Sequence, residues 1–211
     1  MRSAFNVHKS LFPFLIAAVT LGLAGCASNG DPSTDTATSA VESQSEENAQ
    51  MTPADILAPY SLENRNVEDV VDALDQMPVD ERPEDLIASV RIDQLELSTN
   101  DGTAAMDMPK DKTYVSFAPY VDSTHPCTFH SLTTCQGEMR NAPIHIKITE
   151  SGSNRVLVDE RVKTFDNGFY GVWLPRDIEG KIEVTHEGKT GSADFSTKAN
   201  GATCVTDLKL S

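Results

Sequence analysis

Short segments in which apolar and polar residues alternate fill the second half of the chain, and they constrain its fold most. The clearest has isoleucine at every second position, at Ile144, Ile146 and Ile148. A period of two puts the apolar side chains on one face of a β-strand. On this basis strands are predicted over residues 90–97, 114–119, 144–148, 156–164, 169–174, 181–186, 192–197 and 203–210.

Turn-forming residues separate these predicted strands, as in Ser151-Gly152-Ser153-Asn154, Asp166-Asn167-Gly168 and Glu187-Gly188-Lys189. Many short strands joined by such turns are typical of antiparallel sandwiches and barrels. We therefore predict an α+β, mainly β fold. Its main part is an antiparallel β-sandwich-like domain over residues 90–211, and a small helical segment over residues 51–89 precedes it.

The segment 51–89 carries helix signals. Asn66 can cap a helix whose apolar positions share one face, and Pro78 ends that helix; these positions are Val67, Val70, Val71 and Leu74. A second short helix is predicted over residues 83–87, where a proline and two acidic residues come first. Two such helices cannot enclose a core of their own, so they must pack on the following domain or on a second copy.

The first 25 residues have the pattern of a secretory signal peptide, with basic Arg2 and Lys9 before an apolar run over residues 11–23. A transmembrane helix is the alternative, but the run is shorter than the roughly 20 residues that span a bilayer. The sequence Leu23-Ala24-Gly25-Cys26 looks like a lipobox. Cys26 is thus the predicted lipidation site, and two acyl chains would anchor the mature protein stably to a membrane of the cell envelope.

The segment 26–50 is predicted to be a lipidated, disordered tether, because its Ser, Thr, Ala, Asp, Glu and Gln residues cannot form a core. The whole chain has a formal net charge of −15. Such a charge repels nucleic acid, so a nucleic-acid-binding function is excluded. The predicted location is the periplasm or an outer-membrane surface, with the protein held there by its lipid.

Three cysteines remain once Cys26 is lipidated, and they are Cys127, Cys135 and Cys204. In an oxidising compartment cysteines usually pair, so an odd number leaves one thiol for a partner chain or a metal. His125 and His130 flank the first of them. Thiolates next to imidazoles favour soft metals such as Cu(I), zinc or iron–sulfur clusters.

The residue types leave two interpretations of these cysteines open. Zinc sites usually contain two closely spaced ligand pairs, which this sequence lacks, whereas Cu(I) accepts two or three thiolates. The other interpretation is a structural disulfide, either Cys127–Cys135 or Cys135–Cys204, that would stabilise a loop.

Longer motifs point to one family. The run from Tyr120 to Glu138, which contains His125-Pro126-Cys127-Thr128-Phe129-His130, resembles the CueP family of periplasmic copper-resistance proteins. The family resemblance includes further motifs, namely Phe165-Asp166-Asn167-Gly168-Phe169, Gly171, Trp173-Leu174-Pro175-Arg176 and Thr203-Cys204. It extends from about Val67 to the end. It implies copper binding through the cysteines, delivery of copper to envelope proteins, and reduction of Cu(II) to Cu(I) by the thiols.

The resemblance also implies roles for particular residues. Cys127, Cys135 and Cys204 become copper ligands or electron donors, and His125 and His130 become auxiliary or supporting ligands. The implied partners are copper, with Cu(I) favoured, a copper-accepting envelope protein, a thiol reductant of the envelope, and a second copy bound through the N-terminal segment. His145 and His186 are expected on the surface.

Two other functions remain as alternatives. One is a thiol–disulfide oxidoreductase that uses Cys127 and Cys135, although no helix start that would lower a thiol pKa is predicted there. The other is a structural lipoprotein with one disulfide and no metal. Hydrolase and phosphate-binding motifs are missing from the sequence, so we expect a metal-binding and transfer protein more than an enzyme, with cupric reduction as an added activity.

Overall fold

The computed structural model describes residues 51–211 of the chain. The predicted signal peptide, the lipidation site Cys26 and the tether over 26–50 lie outside the described residues. Within 51–211, no helix combines the length and the apolar character needed to cross a membrane.

Two short α-helices and ten strands make up the described part. The helices are α1 (Pro53–Leu57) and α2 (Val67–Asp75), and 3₁₀ turns follow at Ala58–Tyr60 and Val79–Glu81. The strands are β1 (Ile87–Val90), β2 (Gln94–Ser98), β3 (Thr103–Asp107), β4 (Lys112–Phe117), β5 (Pro143–Glu150), β6 (Val156–Lys163), β7 (Tyr170–Pro175), β8 (Glu179–His186), β9 (Lys189–Ser196) and β10 (Cys204–Val205). A mainly β fold with antiparallel sheets is confirmed.

Helix α2 begins where the sequence predicts. The Asn66 side chain accepts a hydrogen bond from the backbone N–H of Asp69 at 2.8 Å, which satisfies one of the free donors at a helix start. The apolar face of the helix is buried, with Val70, Val71 and Leu74 completely enclosed.

The helix predicted over 83–87 is wrong, and so is the single strand over 90–97. Leu86 is buried, and Ile87 starts strand β1, which pairs with β2 from Ile87↔Ser98 to Val90↔Leu95. Tertiary pairing satisfies the backbone of this segment better than one helical turn could. The two strands form a hairpin because the chain turns at Arg91, whose N–H donates to the Gln94 carbonyl.

Strands β1, β2 and β3 form an antiparallel sheet in that order. Its buried residues share one apolar cluster with α1 and α2, which we call the helical cluster; it includes Leu57, Val71, Leu74, Leu95 and Leu97. The two helices therefore pack on the rest of their own chain.

The other seven strands form two sheets, ordered β10-β4-β7 and β6-β5-β8-β9. All their pairings are antiparallel except that of β10 with β4. Apolar side chains from both sheets meet in a second cluster, the sandwich cluster; it includes Val115, Phe117, Ile146, Ile148 and Val184. This is the sandwich-like architecture that the alternating segments predict.

Strand β4 lies between the two clusters. Tyr114 belongs to the helical cluster, whereas Val115 and Phe117 belong to the sandwich cluster. Just past the end of β4, Ala118 packs with Phe169 and Cys204 in a third, small cluster. The half-buried Cys127 and Cys135 pack against it, so the fold brings all three cysteines to one end of β4.

Candidate metal centre

Two neighbouring loop cysteines and one strand cysteine form the candidate metal centre. Cys127 and Cys135 lie in the long connection between β4 and β5, and Cys204 begins β10. The backbone N–H groups of Thr203 and Cys204 both donate to the Thr128 carbonyl, at 3.0 and 3.2 Å. The last strand thus returns beside the loop, and all three cysteines are free thiols.

The donor atoms fall into two overlapping groups. The Sγ atoms of Cys127 and Cys135 are 3.8 Å apart, and Cys204 Sγ lies 3.9 Å from His130 Nδ1. In one group, the donor atoms of His125, Cys127 and Cys135 lie within 4.8 Å of one another. In the other group, the donor atoms of His130, Cys135 and Cys204 do so. Cys135 belongs to both groups, whereas Cys127 and Cys204 belong to different ones.

The two groups differ in burial. His130 is fully enclosed and Cys204 is 3% exposed, while His125, Cys127 and Cys135 are each half-buried. His130 also stacks at a tilt on Phe169, with ring centroids 4.6 Å apart. The group with His130 is therefore the inner one, and the group with His125 is the outer one.

Hydrogen bonds fix the shape of the cysteine loop. The Glu138 carboxylate accepts the backbone N–H groups of Val121, Asp122 and Ser123, at 3.1, 3.1 and 2.6 Å. Around Cys135, its own N–H donates to the Ser131 carbonyl, and the Ser131 N–H points back at Cys135 Sγ at 3.4 Å. The thiol is thus held by the backbone of its own loop.

Two glycines let the cysteine loop approach the turn before β7. Gly168 has a φ of +81°, and a Cβ placed on it would lie 2.4 Å from the Gly137 carbonyl oxygen. At the same contact the Gly137 N–H donates to the Asn167 carbonyl at 2.7 Å. A side chain at position 168 would push the turn away from the loop, because L residues avoid this φ and no space is left.

Asp75, which the sequence analysis missed, connects helix α2 to the centre. Its carboxylate is completely buried and lies 2.8 Å from His130 Nε2, 2.8 Å from the Tyr114 hydroxyl and 2.8 Å from Asn167 Nδ2. The sequence contained a signal for a buried role of Asp75, because this residue follows Leu74 on the apolar face of α2. An acidic residue at a core position of a helix is rarely buried unless it has partners.

Burial and pairing together set the charges of Asp75 and His130. Burial by itself would raise the pKa of Asp75, but His130, Tyr114 and Asn167 outweigh it, and the pKa falls below its ordinary value. Burial likewise opposes the charged form of His130, yet the Asp75 carboxylate raises the pKa of His130 to about 9. The pair is thus a buried imidazolium and carboxylate at neutral pH.

The three thiols differ in acidity because they share hydrogen bonds. Hydrogen bonds from Cys127 and Cys204, with the nearby His130, lower the pKa of Cys135. The same contact with Cys135 raises the pKa of Cys127 to about 11, and hydrogen bonds to Cys127 and Cys135 raise the pKa of Cys204. Cys135 is therefore the most acidic of the three thiols, and a thiolate is the form that binds soft metals.

Arg82 supports the centre from the N-terminal side. Its Nη1 donates to the Cys135 carbonyl at 2.8 Å, and its Nη2 is 4.0 Å from the Asp75 carboxylate. The side chain is 4% exposed, and burial lowers the pKa of its guanidinium. Both Arg82 and Asp75 come from the segment 51–89, so this segment contributes to the centre.

The structure brings together five of the six predicted site residues and puts His145 and His186 elsewhere. His125, Cys127, His130, Cys135 and Cys204 meet at one end of β4, and Cys26 lies outside the described residues. His145 is paired with Asp159 at 2.7 Å on an exposed strand face, and His186 binds the Pro143 carbonyl at 2.7 Å. Neither contacts the centre.

A mainly β domain whose sulfur and imidazole donors surround the sulfur of Cys135 belongs to the class of soft-metal-binding proteins. A family described as periplasmic copper-binding protein CueP matches residues 69–209, and the chain belongs to this family. A crystal structure of S.CueP is 42% identical to the chain, with a TM-score of 0.71, and the match covers 75% of this chain and 96% of that one. No curated protein sequence matches the chain.

The family membership confirms the resemblance found in the motifs, and it supports copper as the bound ion and the periplasm as the location. The individual ligands, the oxidation state of copper, the lipid anchor and the dimer stay predictions.

Proposed function

We propose that the protein binds Cu(I) in the cell envelope through Cys127, Cys135 and Cys204, and passes the ion to copper-requiring envelope proteins. Sequestration of this kind contributes to copper resistance. The observation that carries the proposal is the set of three free thiols and two imidazoles around Cys135. This donor set suits a soft ion of low coordination number.

Transfer to an acceptor requires an open approach to the sulfur ligands. A cleft of about 430 Å³ borders Cys127 and Cys204 and is lined in addition by Thr128, Asp194 and Asp207. An acceptor that supplies a sulfur or imidazole from this side can bind the ion before the first ligand leaves. Ligand exchange then moves copper without releasing it to water.

We further propose that the thiols can reduce Cu(II). Two cupric ions would each take one electron from a thiolate, and Cys127 and Cys135 would then join in a disulfide with loss of their two protons. Their sulfurs are 3.8 Å apart, so little movement is needed. A dithiol of the envelope must then reduce this disulfide by thiol–disulfide exchange. This dithiol is the proposed reductant partner.

The location and assembly belong to the same proposal. Lipidation at Cys26 would hold the protein on a membrane surface, and the segment 26–50 would let the domain reach soluble acceptors. A homodimer is proposed through the segment 51–89. In its favour, the largely exposed Ile87 of this segment leaves an apolar side chain free for contact.

Anaerobic titration with Cu(I) against a coloured chelator tests the binding. Reduced full-length protein in mild detergent is compared with a Cys127→Ser, Cys135→Ser, Cys204→Ser variant and with a His145→Ala, His186→Ala control. We expect the wild type and the control to remove copper from the chelator and the serine variant to leave it there. Retention of copper binding by the serine variant would contradict the proposal.

A thiol–disulfide oxidoreductase is the second candidate, favoured by the contact between Cys127 and the acidic thiol of Cys135. Such an activity would accelerate the reduction of a protein disulfide by a dithiol, and Cys135→Ser would abolish the acceleration. The copper proposal expects no acceleration by the wild type above the rate with dithiol alone.

A further inference from the structure

We propose that the centre holds one copper ion in two alternative positions that share the sulfur of Cys135. The outer position uses His125 and Cys127, and the inner position uses His130 and Cys204. Copper enters and leaves at the outer position and is stored at the inner one. This inference rests on the proposed function, because it concerns how the same ion moves.

The geometry divides the donors in this way. Metal–sulfur bonds are about 2.3 Å long, so three ligands in a plane around one ion lie about 4 Å apart. Each of the two groups has all its donor atoms within 4.8 Å, and Cys127 and Cys204 are in different groups. One ion can therefore be held by either group after small adjustments, and Cys135 can stay bound in both.

Burial gives the two positions different roles. His130 is fully enclosed and Cys204 is 3% exposed, whereas the outer ligands are half-buried. His125 also borders a cavity of about 280 Å³ beside Thr124 and Gly137. The cleft of about 430 Å³ borders Cys127 and Cys204 alike, but Cys204 is almost fully buried there, so an incoming ion or an acceptor meets the half-buried Cys127 and His125 first.

The inner position is also the better organised of the two. Asp75 holds His130 Nε2 at 2.8 Å, which turns Nδ1 toward Cys204 Sγ at 3.9 Å. A carboxylate behind a ligating imidazole fixes the ring and strengthens it as a ligand. His125 has an edge contact with Phe169, with centroids 6.3 Å apart, and the structure shows no carboxylate partner for it among the described residues. The inner position should bind copper more tightly and the outer one exchange it faster.

Movement between the positions is a ligand exchange without redox change. Copper stays Cu(I) and stays bound to Cys135, while its bonds to Cys127 and His125 break and its bonds to Cys204 and His130 form. The proton that the Cys204 thiol loses is matched by one that Cys127 takes up, and the Nδ1 proton of His130 leaves to solvent.

Stopped-flow transfer of Cu(I) from a chelator to the reduced wild-type protein tests the inference without any variant. We expect a fast phase whose rate rises with protein concentration, followed by a slower phase independent of concentration. A single phase that rises with concentration throughout would overturn the inference. A wild type that takes no copper at all would overturn the proposed function as well.

Three variants then assign the positions, with His145→Ala as the control for removing an imidazole. His125→Ala and Cys127→Ser should slow copper uptake and release by about tenfold or more, the scale on which changes around a metal act, with a smaller change in equilibrium affinity. Cys204→Ser should instead weaken the affinity by about tenfold or more and abolish the slow phase. Equal effects of Cys127→Ser and Cys204→Ser on both quantities would show a single position and overturn the inference.

Discussion

The two apolar clusters on either side of β4 are built differently. The sandwich cluster consists of aliphatic and aromatic side chains from two sheets, including Ile146 and Phe117. The helical cluster borders a buried ionic group, in which Asp75 contacts His130, Tyr114 and Asn167. One side of β4 thus stabilises the fold by apolar burial, while the other side also shapes the metal centre. Substitutions in the sandwich cluster should therefore lower stability without changing copper binding. Substitutions in the buried ionic group beside the helical cluster should change both.

Replacing Asp75 by alanine should have the largest effect. It leaves His130 and Arg82 buried without their counter-charge, and breaking a buried pair on one side costs about 3–5 kcal/mol. Urea unfolding measures this loss, and chelator competition should show weaker Cu(I) binding by the same protein. Asp72→Ala is the matched control in the same helix, because Asp72 is only half-buried and accepts one hydrogen bond, from Trp173 at 3.0 Å. Equal stability of the two variants would refute the role of Asp75.

Ile146→Ala tests the sandwich side of the comparison. Ile146 is completely buried in β5, and removal of such a side chain costs about 2–5 kcal/mol through lost burial and the cavity left behind. In contrast with Asp75→Ala, the folded variant should bind Cu(I) as tightly as the wild type. A parallel loss of copper affinity would show that the two clusters are not separate in function.

Asn66→Ala should have a smaller effect, since it removes only the cap of the helix that carries Asp75. Loss of an N-cap side chain costs about 0.5–2 kcal/mol. Thermal or urea unfolding measures the cost, and Asn64→Ala, an exposed neighbour outside the helix, serves as the control. If both variants are equally stable, the hydrogen bond that the Asp69 N–H donates to the Asn66 side chain does not stabilise the helix.

The smallest expected effect concerns acid stability. Backbone N–H of Val79 and the side chains of Arg140 and Asn141 hydrogen-bond the Asp166 carboxylate, and these contacts lower its pKa to about 2. Because the folded pKa is depressed, the contribution is present above the ordinary aspartate pKa and is lost as the pH falls toward 2. Asp166→Asn should flatten this part of the stability–pH curve, measured by urea unfolding between pH 5 and 2.

An exposed aspartate in the loop after β2, Asp101, provides the control for that measurement. Asp101→Asn should leave the acid dependence as in the wild type. If both variants flatten the curve alike, the effect is one of net charge and not of the Asp166 contacts.

The sequence predicted the parts of the fold that local patterns determine. The isoleucines of β5 alternate, and the residues after Asn66 have helical spacing, so burial of one face decided both elements. Residues 90–97 were predicted to form one strand, although Val90 and Ile92 have even numbers and Leu95 and Leu97 odd ones. A straight strand cannot bury all four on one face, and the observed hairpin resolves the conflict.

Long-range contacts decided what the sequence could not predict. Strand β3 has few β-branched or aromatic residues and forms because β2 pairs with it. The cysteines and His125 were found from their sequence motif. The buried contact between His130 and Asp75 was not predicted, because it joins residues 55 positions apart. Local spacing carries no information about such a pair.

X-ray absorption at the copper edge of the Cu(I)-loaded, reduced full-length protein identifies the atoms that hold the copper ion. The account predicts a three-coordinate cuprous ion with sulfur from Cys135 and Cys204 and nitrogen from the imidazole of His130, the three donors of the inner group. A fall from two sulfur ligands to one in Cys135→Ser would identify Cys135 as a ligand. A copper ion surrounded only by oxygen and nitrogen in the wild type would contradict the account.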